Sequence, residues 1–187
     1  MRIISGTLRS KKLFTPKDDT KIRPTSDRAR EAVFSIINAK SDTPFSELSV
    51  LDIFSGTGAL GLEAASRGAK DVTFVDIDLS LTIKNAQLCN LNNLHFIKKD
   101  ATKLPPAHTP FNLIFMDAPY NQGLTAPTLE ALIKGNYLKP ETLVIAETAK
   151  DEILDIPTPL ELIDERIYGA ARFSFITPTG ESHEKTL

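Results

Sequence analysis

One cysteine and no tryptophan occur in the 187 residues. Cys89 therefore has no partner for an internal disulfide, and an apolar core has to hold the fold. His95, His108 and His183 are the only histidines, and their spacing matches no ligand pattern, so no metal is expected. No apolar run approaches the roughly 18 to 20 residues of a membrane helix, and Met1-Arg2-Ile3-Ile4-Ser5 lacks the apolar stretch of a signal peptide. A cytoplasmic protein is expected. Repeats and low-complexity tracts are absent too. With 41% hydrophobic residues, the chain can bury one substantial core but is short for two full domains.

Charge is unevenly placed. Residues 1–40 hold ten basic residues against four acidic ones, whereas the remainder holds twelve against twenty. The overall charge of -2 thus hides a basic extension on an acidic body. Such an extension is either a solvated surface or a phosphate-binding one, because lysine and arginine gain affinity by displacing counterions from a nucleic-acid backbone.

Arg2-Ile3-Ile4-Ser5-Gly6 and Lys12-Leu13-Phe14 read as short strands of a hairpin. Thr25 or Ser26 then looks like an N-cap, and Ala29, Val33, Phe34, Ile36 and Ile37 follow at helical spacing to about Ala39. From Val50 onward strand-like and helix-like segments alternate, the pattern of a parallel sheet covered on both faces. Strands are predicted at Val50–Phe54, Asp71–Val75, Leu94–Lys98, Phe111–Met116 and Thr142–Glu147. Helices are predicted at Leu60–Arg67, Leu79–Leu91 and Ala126–Lys134. Strands at Leu160–Tyr168 and Ala171–Thr177, joined by Gly169-Ala170, predict a terminal antiparallel hairpin.

Gly56-x-Gly58-x-x-Gly61 follows a strand and opens a helix, so the backbone there can approach a ligand closely. A dinucleotide would place its pyrophosphate on that helix end, with a ribose-binding acid about 20 residues on. Asp76 meets the second condition, but the negative charge of Asp52, just before the glycines, would repel a pyrophosphate. The same charge suits the ammonium and sulfonium of S-adenosylmethionine (SAM). Asp52, Phe54, Ser55, Gly56, Thr57, Gly58 and Gly61 are accordingly expected to hold SAM. Asp76 would accept the ribose hydroxyls, Ile77 would lie on the adenine face, and Asp100 with Ala101 would meet the adenine edge. The competing readings are a cap on a loop of no function for Asp52 and an exposed loop acid for Asp100.

Phe111-Asn112-Leu113-Ile114-Phe115-Met116 ends abruptly in Asp117-Ala118-Pro119-Tyr120, at the carboxyl edge where open α/β sheets bind ligands. A nucleobase amine is a weak nucleophile because its lone pair is delocalised into the ring. Asp117 and the Ala118 carbonyl can accept its N–H hydrogens and aim the lone pair, while Tyr120 stacks on a flipped base. A simple strand-to-loop turn with a packed tyrosine is the alternative.

The chain resembles the RsmD-type 16S rRNA guanine-N2 methyltransferases over nearly its whole length. The likeness is carried by Met1-Arg2-Ile3-Ile4-Ser5-Gly6, Arg23 through Phe34, Leu51 through Ala64 and Phe74-Val75-Asp76. It implies the Rossmann-like class I methyltransferase fold, a seven-stranded mostly parallel sheet with a C-terminal antiparallel hairpin, plus a small N-terminal β-hairpin and helix. It also implies SAM as donor, released as S-adenosylhomocysteine, and a guanine in 16S rRNA or a small-subunit particle as target. The catalytic residues implied are Asp117, Ala118, Pro119 and Tyr120. The expected division is residues 1–40 as an RNA-contacting extension, with Arg9, Lys11, Lys12, Arg23 and Arg28 at its surface, and 41–187 as the methyltransferase domain of a monomer. Two positions depart from the usual pattern: Ala118 stands where the family has proline, and Asp76 replaces a more frequent glutamate, one methylene longer. Other classes that fit parts of the pattern are an adenine-N6 DNA methyltransferase, a glutamine-amide methyltransferase and a non-catalytic RNA-binding assembly factor.

Overall fold

A computed structural model describes residues 1–16, 26–40 and 43–180. Its elements, in chain order, are helix α1 (Asp27–Lys40), strand β1 (Ser49–Ile53), helix α2 (Ala59–Ser66), β2 (Asp71–Asp76), α3 (Ser80–Cys89), β3 (Leu94–Lys98), β4 (Leu113–Asp117), α4 (Thr125–Lys134), β5 (Leu143–Ala149), β6 (Leu160–Tyr168) and β7 (Ala171–Pro178). Single 3₁₀ turns at Phe45–Glu47 and Ala101–Lys103 complete them. The seven strands form one sheet in the order β3-β2-β1-β4-β5-β7-β6. Strands β1 to β5 run parallel, and β7 and β6 join antiparallel at the edge. This is the sheet expected from the sequence, including the final hairpin.

Residues on partnered positions of parallel strands point to the same face. Val50, Val72, Phe74, Leu113, Phe115 and Ile145 pack against one side together with Phe34 of α1 and Leu62 of α2. Leu51, Ile53, Val75, Ile114, Met116 and Val144 pack on the other with Leu129 and Leu132 of α4. The strands are buried on both faces, so they read as continuous apolar runs rather than alternating ones.

The N-terminal arm, residues 1–16, is more irregular than the predicted hairpin. Its two halves pair antiparallel as a hairpin would, through a bridge between Arg2 and Lys12 and backbone bonds from Ile3 N to Lys11 O at 2.9 Å, Ser10 N to Ile3 O at 2.8 Å and Leu13 N to Met1 O at 3.1 Å. No regular strand forms, however, and other backbone groups of the arm bond to α2. Buried Glu63 accepts from Ile4 N at 2.7 Å and Ser5 N at 3.0 Å, and it pairs with Arg67 at 2.8 Å. Ile3 and Leu13 enter the same core as α1. Ser26 Oγ accepts from Ala29 N at 3.2 Å and so caps α1; Thr25, the other cap considered, lies outside the described residues. On α1, Arg30 rather than Ile36 joins the buried set, with its guanidinium on the Arg2 carbonyl and Asp27. Among the described residues no helix is long and apolar enough to cross a membrane.

Candidate active site

Strand register builds a row of acids at the carboxyl edge. Ile53 lies opposite Val75 on one side and Met116 on the other, which brings Asp76 and Asp117 level with Phe54. Asp117 is itself partnered with Glu147, and Asp76 with Lys98. Asp52, two residues earlier on β1, faces the same way. Four carboxylates thus converge above the side of the sheet covered by α1 and α2.

The glycine loop folds over the end of this row. Phe54, Gly56 and Gly58 all have positive φ, at 58°, 51° and 75°, which curls the chain from β1 into α2. Asp52 is 2% exposed and accepts from Gly61 N at 2.8 Å. A strand residue thereby supplies the cap that Gly58, at the helix start, lacks. A Cβ on Gly61 would come within 2.4 Å of Phe74 Cε1 and 2.9 Å of Asp52 Oδ2, so only glycine lets the helix approach this closely. A Cβ on Gly56 would meet nothing nearer than 3.9 Å, and that side of the loop stands open to a ligand. Asp76 Oδ2 accepts from Gly56 N at 2.9 Å and Oδ1 from Asp78 N at 3.1 Å. The shorter acid is therefore fixed by backbone donors, while each oxygen retains a lone pair.

Burial pushes the Asp52 carboxyl up to about 8, with the Gly61 N–H acting against the shift and Asp76 adding to it. Asp117 is held well above the usual carboxylate range by burial first, then by the charges of Glu147 and Asp52. Among the described residues no lysine or arginine pairs with Asp52 or Asp117. Such a donor set is matched by a cation-bearing ligand and mismatched to a phosphate. Beside it Ile77 is 70% exposed, an apolar surface available to a planar ring. Asp100 is exposed and caps the 3₁₀ turn by accepting from Thr102 N and Oγ1; these bonds hold its carboxyl below the ordinary range. Ala101 beside it is buried. Ser55 and Thr57 turn their hydroxyls inward, to Thr82 and to the sulfur of Met1, and the Ser55 backbone bonds to Val75 O and Gly58 N, so these two residues shape the loop. These residues fit SAM: Asp52 would face its ammonium, Asp76 its ribose, and Ile77 its adenine.

Across the row, Ala118 is buried, Pro119 is exposed and the Tyr120 ring is 36% exposed. Tyr120 Oη donates to Glu147 Oε1 at 2.6 Å. Burial and the neighbouring Glu147 charge keep its phenol protonated far above the ordinary range. Glu147, 3% exposed, was not among the site residues expected from the sequence. Its only trace there is an acid inside the apolar run Val144-Ile145-Ala146-Glu147, and its relevance depends on pairing with Asp117. Of the expected basic residues, Arg9, Lys12 and Arg28 are exposed. The Lys11 ammonium donates to the Leu88 carbonyl. Arg23 lies outside the described residues.

Sheet order, the antiparallel final pair and an acid-lined glycine loop together define a class I methyltransferase. The family model described as "Conserved hypothetical protein 95" matches residues 1–177, and the chain belongs to that family, the RsmD-type methyltransferases. Ribosomal RNA small subunit methyltransferase D of Haemophilus influenzae is 32% identical, with 92% of this chain and 91% of the relative covered. The protein of the same name from Escherichia coli K12 is 33% identical over 92% and 87%. A solved structure titled as a putative methyltransferase from Escherichia coli superposes with a TM-score of 0.79 at 31% identity, covering 95% of this chain and 97% of the other.

Proposed function

We propose that this protein transfers a methyl group from SAM to the exocyclic N2 amine of a guanine in 16S rRNA, presented alone or on a small-subunit particle, in the cytoplasm and as a monomer. The observation that supports the reading is the alignment of Asp52, Asp76 and Asp117 at the carboxyl end of three adjacent strands, beside the glycine loop. The small-subunit rRNA enzymes named above lend the substrate.

When bound, SAM supplies an electrophilic methyl. The protein's own groups do the remainder. Asp117 and the Ala118 carbonyl accept the two amine hydrogens, orient the nitrogen lone pair and stabilise the charge that develops on it. Tyr120 stacks on the extruded base, and Glu147 fixes the tilt of its ring through the phenol. The proton shed by the methylated amine passes to the carboxylate form of Asp117. Arg9, Lys11, Lys12, Arg23 and Arg28 lie on the extension, residues 1–40, that would meet the phosphate backbone. Labelled SAM offered with small subunits, naked rRNA, DNA and protein tests the assignment; label on DNA or protein alone would refute it.

Donor binding should depend on pH. In the folded protein Asp52 keeps its proton up to about pH 8, against an ordinary value of 3.8. Stability from this protonation is complete below the ordinary value and is lost as pH rises through about 8. A cation beside the carboxylate favours the ionised form, so SAM affinity should rise toward pH 8 with release of a proton. Calorimetry at pH 7 in buffers of different ionisation enthalpy counts that proton. An Asp52→Asn variant with the same pH slope would contradict it.

Salt dependence tests the extension. Reversing Arg9, Lys11 and Lys12 to glutamate should weaken RNA binding and flatten the slope of log affinity against log salt by about 2. An unchanged slope would move the RNA surface elsewhere.

A further inference from the structure

The inward stripe of α3 sets two polar residues, Thr82 and Asn85, beside the apolar Ala86 and Cys89, where a helix on a sheet is ordinarily apolar throughout. Thr82 and Asn85 are fully buried, while Ile83 and Leu88 are 37% and 38% exposed. A buried amide is costly unless its hydrogen bonds are remade, and Asn85 remakes them on two separate segments. Its Oδ1 accepts from Phe14 N at 2.7 Å, and its Nδ2 donates to Phe14 O at 3.0 Å and to Thr57 O at 2.9 Å. Both amide hydrogens are thus spent, one on the N-terminal arm and one on the glycine loop.

Neighbouring contacts have the same logic. One turn earlier, Thr82 Oγ1 lies 2.8 Å from the Gly56 carbonyl and 3.0 Å from Ser55 Oγ, so the polar stripe is the rear support of the loop. Thr57 Oγ1 also reaches Met1 Sδ at 3.4 Å, a second tie between loop and arm. On the outer side the Lys84 ammonium sits 3.8 Å over the half-exposed Phe14 ring. Arg9 and Lys12 lie on the same arm.

We propose that Asn85 is a positioning residue that locks the RNA-contacting arm to the donor-binding loop, so that SAM occupancy and RNA affinity reinforce one another. The inference rests on the RNA reading above. A ligand seated on the loop restrains Thr57, and Asn85 passes that restraint to the backbone of Phe14. The ordering cost of the arm is then met once for both ligands. Linkage requires the effect to be reciprocal: RNA tightens donor binding by the same factor that the donor tightens RNA binding.

The test measures the affinity of the full chain for a fluorescent small-subunit rRNA transcript, with and without saturating S-adenosylhomocysteine. For the wild type the nucleoside should tighten RNA binding about tenfold. Asn85→Leu, which keeps the size but loses every polar bond, should bring that factor below about twofold. Phe14→Pro, at a half-exposed position, deletes the N–H that Asn85 accepts and should do the same. Phe14→Ala keeps both backbone bonds and should retain the coupling factor. An amide with a merely structural role would lower the melting temperature and weaken each ligand alone while leaving the ratio untouched. A wild-type factor of one, or an undiminished factor in both Asn85→Leu and Phe14→Pro, overturns the proposal. A wild type that binds no RNA would remove the substrate reading and this inference with it.

Discussion

Asp117→Ala is expected to lower methyl transfer by about 10³-fold while SAM affinity stays within about threefold of wild type. The acid lies level with Asp76 and Glu147 at the strand ends but contacts only the incoming base in the proposed reaction. Its loss removes an acceptor that is most needed as positive charge grows on the nitrogen. Removing the carboxylate also relieves its burial and then its crowding by Glu147 and Asp52, the causes that lift its proton affinity, so the variant should fold at least as well as the parent. Single-turnover transfer and calorimetric SAM binding separate the two quantities. Equal turnover would remove the catalytic assignment, and a parallel loss of donor affinity would reassign Asp117 to the SAM site.

The second large effect is on stability. Gly6 has φ of +82°, and a Cβ placed there would sit 1.9 Å from the Ser66 carbonyl oxygen. The obstruction is backbone, and it is held in place by Thr7 N and Leu8 N donating to Ser66 at 2.8 and 2.9 Å. Gly6→Ala therefore has to pry the arm from α2, at a cost of about 3 kcal/mol. The melting temperature should fall by about 10 °C. Gly169→Ala is the control, since its φ of +64° is similar but no atom lies within 4 Å of the added carbon; its cost should be about 1 kcal/mol. Thermal denaturation of both variants decides the matter, and equal shifts would show that the close approach of the arm to α2 at Gly6 is not needed for stability.

The parallel strands were legible because burial on both faces leaves an unbroken apolar run, and each predicted strand lies within two residues of the observed one. The arm was less so. Its pairing with α2 uses Glu63, Ser66 and Gly6, residues 57 to 60 positions apart, and no local spacing reveals such a match. Helix α3 was placed correctly, but its exposed Ile83 and Leu88 and buried Thr82 and Asn85 invert the usual amphipathic rule. Apolar spacing alone does not reveal that inward face. Asp52, Asp76 and Asp117 could be proposed because each lies at or near the end of a strand beside a turn signal. Glu147 escaped because its importance comes from lateral register with Asp117, which is decided by sheet order and not by nearby sequence.

Cys89 has a further consequence. It is 3% exposed, and burial raises its thiol while Lys11 of the arm acts in the opposite sense. An alkylating reagent reaches this sulfur only in conformers where that corner has opened. With no second thiol in the chain, the unmodified protein carries its own chemical clock for such openings, and the speed of labelling with and without each ligand would record how often they occur.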